Sequence, residues 1–137
     1  MRAEERLLDY QLTVESLEDM IVVVSRDYRY VLANRAFLNY RRMERENIVG
    51  HLILETLSHE AFEEVIKGKL DECFQGKAVN YEMKYRYPHL GERDLLISYF
   101  PIEDSNGSRK AACVLRDITE RRLAERALHE AQTNLAH

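Results

Sequence analysis

The nine residues "VNYEMKYRY" (79–87) constrain this chain more than any other stretch. Tyr81, Met83, Tyr85 and Tyr87 alternate strictly with Asn80, Glu82, Lys84 and Arg86. A period of two describes a strand with one buried and one solvated face. Such a strand needs partners along its edges and an apolar cover on its aromatic side.

The partners follow at once. "PHLG" turns the chain, and "ERDLLISYFPIED" reads as a strand with Leu95, Ile97 and Tyr99 on one face. "SNGS" holds Asn-Gly, a strong hairpin signal, and "RKAACVLRDI" reads as the last strand. Short turns imply antiparallel pairing. Upstream, "MIVVVS" (20–25) and "YRYVLA" (28–33) form a hairpin across "SRDYR".

The cover lies between the two groups of strands. Asn34 is a good N-cap, because its side-chain oxygen can accept an orphan amide of the first helical turn. A short helix is expected from Arg35 to about Met43. "ERENIVGHLILETLSHE" reads as short helical turns broken by Gly50. Ser58 then caps a longer helix whose apolar face is Phe62, Val65, Ile66, Leu70, Cys73 and Phe74, and which stops at Gly76. Residues 3–18 read as a helix with Leu7, Tyr10, Val14 and Leu17 at three- and four-residue steps. The class is α+β with segregated helices.

A length of 137 residues suits one domain with flanking helices. The net charge of −4 argues against nucleic acid as a partner. No apolar run is long enough to span a bilayer, and the acidic N-terminus "MRAEERLLDYQ" lacks a signal-peptide core. A cytoplasmic segment without membrane contact is the expectation. Cys73 and Cys113 lie far apart. A disulfide between them is open, and two buried free thiols suit a reducing compartment.

The last strand runs directly into "RDITERRLAERALHEAQTNLAH". Asp117 and Glu120 have the D-x-x-E spacing of a capping box, with Thr119 a rival N-cap. Either way, a helix starts within a residue or two of Thr119. Ala124, Leu128, Ala131 and Leu135 then form a coiled-coil seam, with Arg121/Glu125 and Arg126/Glu130 pairs on the solvated side. Movement in the sheet would reach this helix through a short, stiff joint.

"DITERRLAE" resembles the closing signature of PAS domains, the sensor modules of bacterial signalling proteins. "VLANRAFLNY" resembles that family's second strand and capped helix, with Asn34, Ala36 and Phe37 in place. "RENIVGHLILETL" resembles its connecting helices, with Gly50 in place, and "ISYFPIEDSNG" its penultimate strand and hairpin, with Pro101 matching. The resemblance covers about residues 17–122. It implies a five-stranded antiparallel sheet with helices on one face, enclosing a pocket. It also implies three units: a flanking helix (1–18), a sensor domain (19–118) and a signalling helix (119–137). One departure is clear: Tyr28 to Tyr30 stand where the family often places a glycine.

Catalytic residues are not expected. No nucleophile motif, Gly-rich phosphate loop or H-E-x-x-H occurs, and the carboxylates fall at capping and ion-pair spacings. No metal site is expected either. The motifs do not support haem or flavin. Of His51, His59, His89, His129 and His137, only His59 touches the long helix, in its first turn, and C-x-x-C-H is absent. The photoreactive flavin branch carries a cysteine before the long helix, and "ENIVGHLILE" has none. The cofactor is therefore left unknown.

The tyrosine stripe has two readings: core packing, or the wall of a pocket for a small organic ligand. Under the second, Tyr40, Phe74, Tyr81, Met83, Tyr85, Ile97, Tyr99 and Cys113 are the candidates. Asp117, Thr119 and Glu120 are the candidate relay. Leu7, Tyr10, Val14, Leu17, Leu128 and Leu135 are the candidate dimer interface. The closing run resembles the linker into the dimerisation helices of sensor histidine kinases. The expected function is signal sensing and homodimerisation, relayed to an output domain. The alternative is a ligand-free module for protein interaction.

Overall fold

The "VNYEMKYRY" stretch is a strand, as its alternation requires, and the sheet order places it at one edge. Val79–Tyr87 (β3) runs antiparallel to Gly91–Glu103 (β4), with Tyr81 opposite Ile97 and Met83 opposite Leu95. A three-residue loop joins them, with Gly91 at φ 75°, where a glycine avoids the left-handed penalty. The computed structural model describes residues 19–135. The helix expected over 3–18, with Leu7, Tyr10, Val14 and Leu17, lies outside the described residues, as does His137.

Met20–Val24 (β1), Tyr30–Ala33 (β2) and Arg109–Asp117 (β5) complete one antiparallel sheet of order β2-β1-β5-β4-β3. β1 lies between β2 and β5, so every residue of "MIVVV" is buried and the strand shows no polar alternation. Pairing β1 with β5 joins the N-terminal hairpin to the three-stranded meander.

Arg35–Arg41 (α1) starts at Asn34, whose Oδ1 accepts the amides of Phe37 (3.1 Å) and Ile21 (3.0 Å). Its Nδ2 donates to the Asp19 carbonyl at 2.8 Å, so one fully buried side chain fastens α1 to the start of β1. The helix ends at Arg41, two residues short of the expected Met43, because Arg42 takes the left-handed conformation as its C-cap. Two short 3-10 turns, Arg45–Asn47 and Ile53–Glu55, follow.

The long helix (α2) spans 59–74. Ser58 caps it by accepting the Ala61 amide. Gly76 at φ 106° closes it, with Gly76 N–H bonded to the Cys73 carbonyl and Lys77 N–H to that of Glu72. That pair is the Schellman arrangement. Between the caps, Phe62–Ile66 is a π-helical turn, in which Lys67 N–H reaches back five residues to Phe62. Helical periodicity alone anticipates a regular helix here. The wide turn keeps Phe62 and Ile66 buried and leaves Val65 at the margin.

Both helices pack on the sheet face that carries Val22, Val24, Leu95, Ile97, Tyr99 and Cys113, forming one apolar core. Thr119–Leu135 (α3) leaves the opposite end of β5. From Leu123 onward its residues are exposed, Leu128 at 60% and Leu135 at 86%. No helix of the described residues is long and apolar enough to cross a membrane.

Candidate functional site

The inward side chains of the sheet do not quite meet those of the helices. A cavity of about 60 Å³ remains between them. Met83 and Tyr85 of β3, Ile97 and Tyr99 of β4, and Cys113 of β5 line it. These are five of the eight pocket candidates read from the alternation.

The other three do not line the cavity. The Tyr81 and Tyr99 hydroxyls share a 2.6 Å hydrogen bond, and Lys69 covers the Tyr81 ring. Phe74 lies at the end of α2, where its ring centroid is 6.2 Å from that of Tyr28. Tyr40 turns its hydroxyl away, donating to Asp117 Oδ2 at 2.8 Å. In each case a specific partner outweighs the bare parity of the strand or helix.

The wall also holds Tyr87, which shares the stripe of Met83 and Tyr85 but is not one of the eight candidates, and residues that the alternation does not assign to it: Val22, Val24, Tyr30, Phe37, Ile66, Leu70 and, above all, Arg41. Arg41 comes from the last turn of α1. Its guanidinium lies 5.4 Å from the Tyr87 ring centroid and 5.7 Å from that of Phe37. It donates to the Thr56 carbonyl. Burial pushes the Tyr87 phenol up to about 12, against a lowering pull from Arg41. Burial likewise holds the Tyr99 phenol and the Cys113 thiol well above their ordinary values. Cys73 and Cys113 are both buried free thiols.

The volume limits what fits. Pockets for drug-sized ligands run to roughly 300 Å³ and more, several times the volume here. A haem or flavin ring system would require the wall to move. Among the described residues no cluster of three or more His, Cys, Asp or Glu side chains could hold a metal.

At the end of β5 the geometry differs from a capping box. Asp117 Oδ1 accepts the Thr119 amide, two residues on, at 2.9 Å. The Thr119 hydroxyl accepts the Asp94 amide of β4 at 2.8 Å and does not cap the helix. Glu120 is exposed, and its side chain caps nothing among the described residues. Ile118 takes the capping position, its carbonyl receiving the Arg122 amide and its own amide bonding to Asp94. The sheet ladder thus continues into the helix's first turn, and this replaces the side-chain cap.

Asp117 is the centre of this join. Beside Tyr40 and Thr119 it has Arg93, whose buried Nε stands 3.6 Å away and makes no hydrogen bond. Burial raises the Asp117 carboxyl, but the bonds from Thr119 and Tyr40 and the Arg93 charge outweigh it and hold the group below the ordinary carboxylate value. Tyr40 in turn packs edge-on against the cavity residue Tyr87 at 5.4 Å. His89, in the β3–β4 loop, donates to the Tyr40 carbonyl at 2.7 Å. Beyond the join, Arg122 of α3 pairs with Glu82 of β3.

A five-stranded antiparallel sheet in this order, with a cavity under its helical cover, defines a PAS-type domain. The family described as the PAS fold matches residues 14–123, and the chain belongs to it. Solved structures agree on the fold. The PAS domain of Bordetella pertussis BvgS is 21% identical, with 95% of this chain and 98% of that one covered and a TM-score of 0.71. The PAS domain of an HTR-like protein from Haloarcula marismortui is 18% identical, with 84% and 93% covered and a TM-score of 0.68. A domain of a sensory box sensor histidine kinase/response regulator from Geobacter sulfurreducens is 16% identical, with 85% and 97% covered and a TM-score of 0.66. No curated protein matches the chain.

Proposed function

We propose that this chain is a sensing and dimerisation module that relays input through α3 to an output domain, a histidine kinase. The supporting observation is the Asp117 join. One carboxylate receives Tyr40, which packs beside the cavity, and the first amide of α3. A shift of the cavity wall at Tyr87 moves Tyr40, and through Asp117 it alters the root of the output helix. The kinase assignment draws on the Geobacter neighbour's description and on the linker-like closing run. The units 1–18, 19–118 and 119–137, a cytoplasmic location and a homodimer seam through Leu128 and Leu135 belong to the same proposal.

The test is hydrogen exchange on the purified chain and on Asp117→Asn and Tyr40→Phe. Both substitutions are expected to speed exchange at the amides of Thr119 to Arg122. Unchanged protection there in both variants would refute the relay. Analytical ultracentrifugation of Leu128→Glu completes it: a dimer that persists unchanged refutes the seam.

The small cavity favours a second reading, a ligand-free module for protein interaction. A native mass spectrum separates the two. Retained mass lost on denaturation supports sensing by a ligand, and a bare chain supports the second reading.

A further inference from the structure

Arg41 carries a charge into an apolar cavity. Among the described residues no carboxylate pairs with it, although ion pairs elsewhere are common. The Thr56 carbonyl accepts from it and the Tyr30 hydroxyl is a second hydrogen-bond partner, which still leaves donors of the guanidinium's five for a further acceptor. Tyr87 adds a second donor. It is 5% exposed, and its hydroxyl has no hydrogen-bond partner among the described residues. A guanidinium and a phenol that converge at the border of an apolar cavity and an open groove favour an anionic acceptor.

The surroundings supply a way in. On the outer side of Arg41, Leu57, Tyr85 and Tyr87 lies a more open groove of about 330 Å³ that extends to Thr56, Glu55 and His89. Those first four residues line both spaces, so they form the partition between groove and cavity. Glu55 would repel an anion in the groove, but its carboxylate is drawn to the Leu52 amide at 2.7 Å and to His51. The inner cavity has room for only a few water-sized groups.

We propose that groove and cavity are one site for a short-chain monocarboxylate, with its alkyl tail in the cavity and its carboxylate accepting from Arg41 and Tyr87. This rests on the sensing reading and names its ligand class. A cation would be repelled by the guanidinium, and a neutral alcohol offers it one uncharged acceptor where a carboxylate offers two charged ones. A long fatty acid would exceed the cavity. The carboxylate would draw Arg41 from Thr56 and shift the Tyr87 ring against Tyr40, the first contact of the relay.

Titrate the ¹⁵N-labelled chain with butyrate and isovalerate, and with butan-1-ol as the neutral control of matching tail. The carboxylates are expected to shift amides of α1 and β3, and butan-1-ol to bind at least tenfold more weakly. Arg41→Gln removes a charge-assisted bond and is expected to weaken the carboxylates roughly ten- to hundredfold while leaving the alcohol unchanged. Tyr87→Phe, which keeps the ring packing, is expected to weaken them by a smaller factor. Carboxylate binding that survives Arg41→Gln, equal binding of the alcohol, or no binding of either carboxylate overturns the proposal. The relay is judged separately by exchange in Asp117→Asn, which needs no ligand, so the two can fail independently.

Discussion

Tyr28 stands in the left-handed region, at φ 64°, in the turn between β1 and β2. Glycine occupies this region freely, whereas an L side chain there costs about 1–2 kcal/mol. The side chain offsets the strain. Its ring meets Phe62 edge-on at 5.3 Å, and its hydroxyl donates to Asp71 Oδ1 at 2.5 Å, pinning the turn to α2. Burial, then the Asp71 bond and charge, push this phenol up to about 12. Removing the half-buried ring loses about 2 kcal/mol of burial and aromatic contact, and the bond to a carboxylate adds roughly 1–2 kcal/mol. Tyr28→Ala loses both and keeps the backbone strain, for a cost of about 3–4 kcal/mol. Tyr28→Gly loses the same contacts but relieves the strain, less the entropy that glycine adds to the unfolded chain. The glycine variant is therefore expected to be the more stable by about 1 kcal/mol, reversing the usual order of Ala and Gly. Urea denaturation measures both, and the gap corresponds to about 3–4 °C in Tm. An alanine variant as stable as the glycine variant, or more so, would refute the account of strain offset by the side chain.

Asn34→Ala would strand the Ile21 and Phe37 amides and the Asp19 carbonyl. A loss of roughly 3 kcal/mol is expected in chemical denaturation, and a loss below about 1 kcal/mol would contradict it. The pH dependence of Asp117 follows from its lowered folded-state pKa. Its stabilisation is present above the unfolded-state value of about 4 and is lost as pH falls through the folded-state value. The Tm gap between wild type and Asp117→Asn should accordingly narrow between pH 7 and pH 3; a constant gap would show that the charge is immaterial.

What the sequence determined by itself is local. The alternation of "VNYEMKYRY", the caps at Asn34 and Ser58, and the stop at Gly76 depend on residues two to five positions apart, where backbone geometry leaves few choices. Family resemblance extended that to a five-stranded sheet. The tertiary structure decided what depends on distant partners. Tyr28 meets Asp71 across 43 residues, and Tyr40 meets Asp117 across 77. Period-two reasoning placed Met83, Tyr85, Ile97, Tyr99 and Cys113 on the inward face, but it could not show that Tyr81 is held by Tyr99 or that Arg41 enters the cavity from α1. D-x-x-E spacing suggested a capping box, and the Asp94 backbone supplied the bonds instead. Spacing along a chain sets which face a side chain takes; which group satisfies its hydrogen bonds depends on what folding brings to that face.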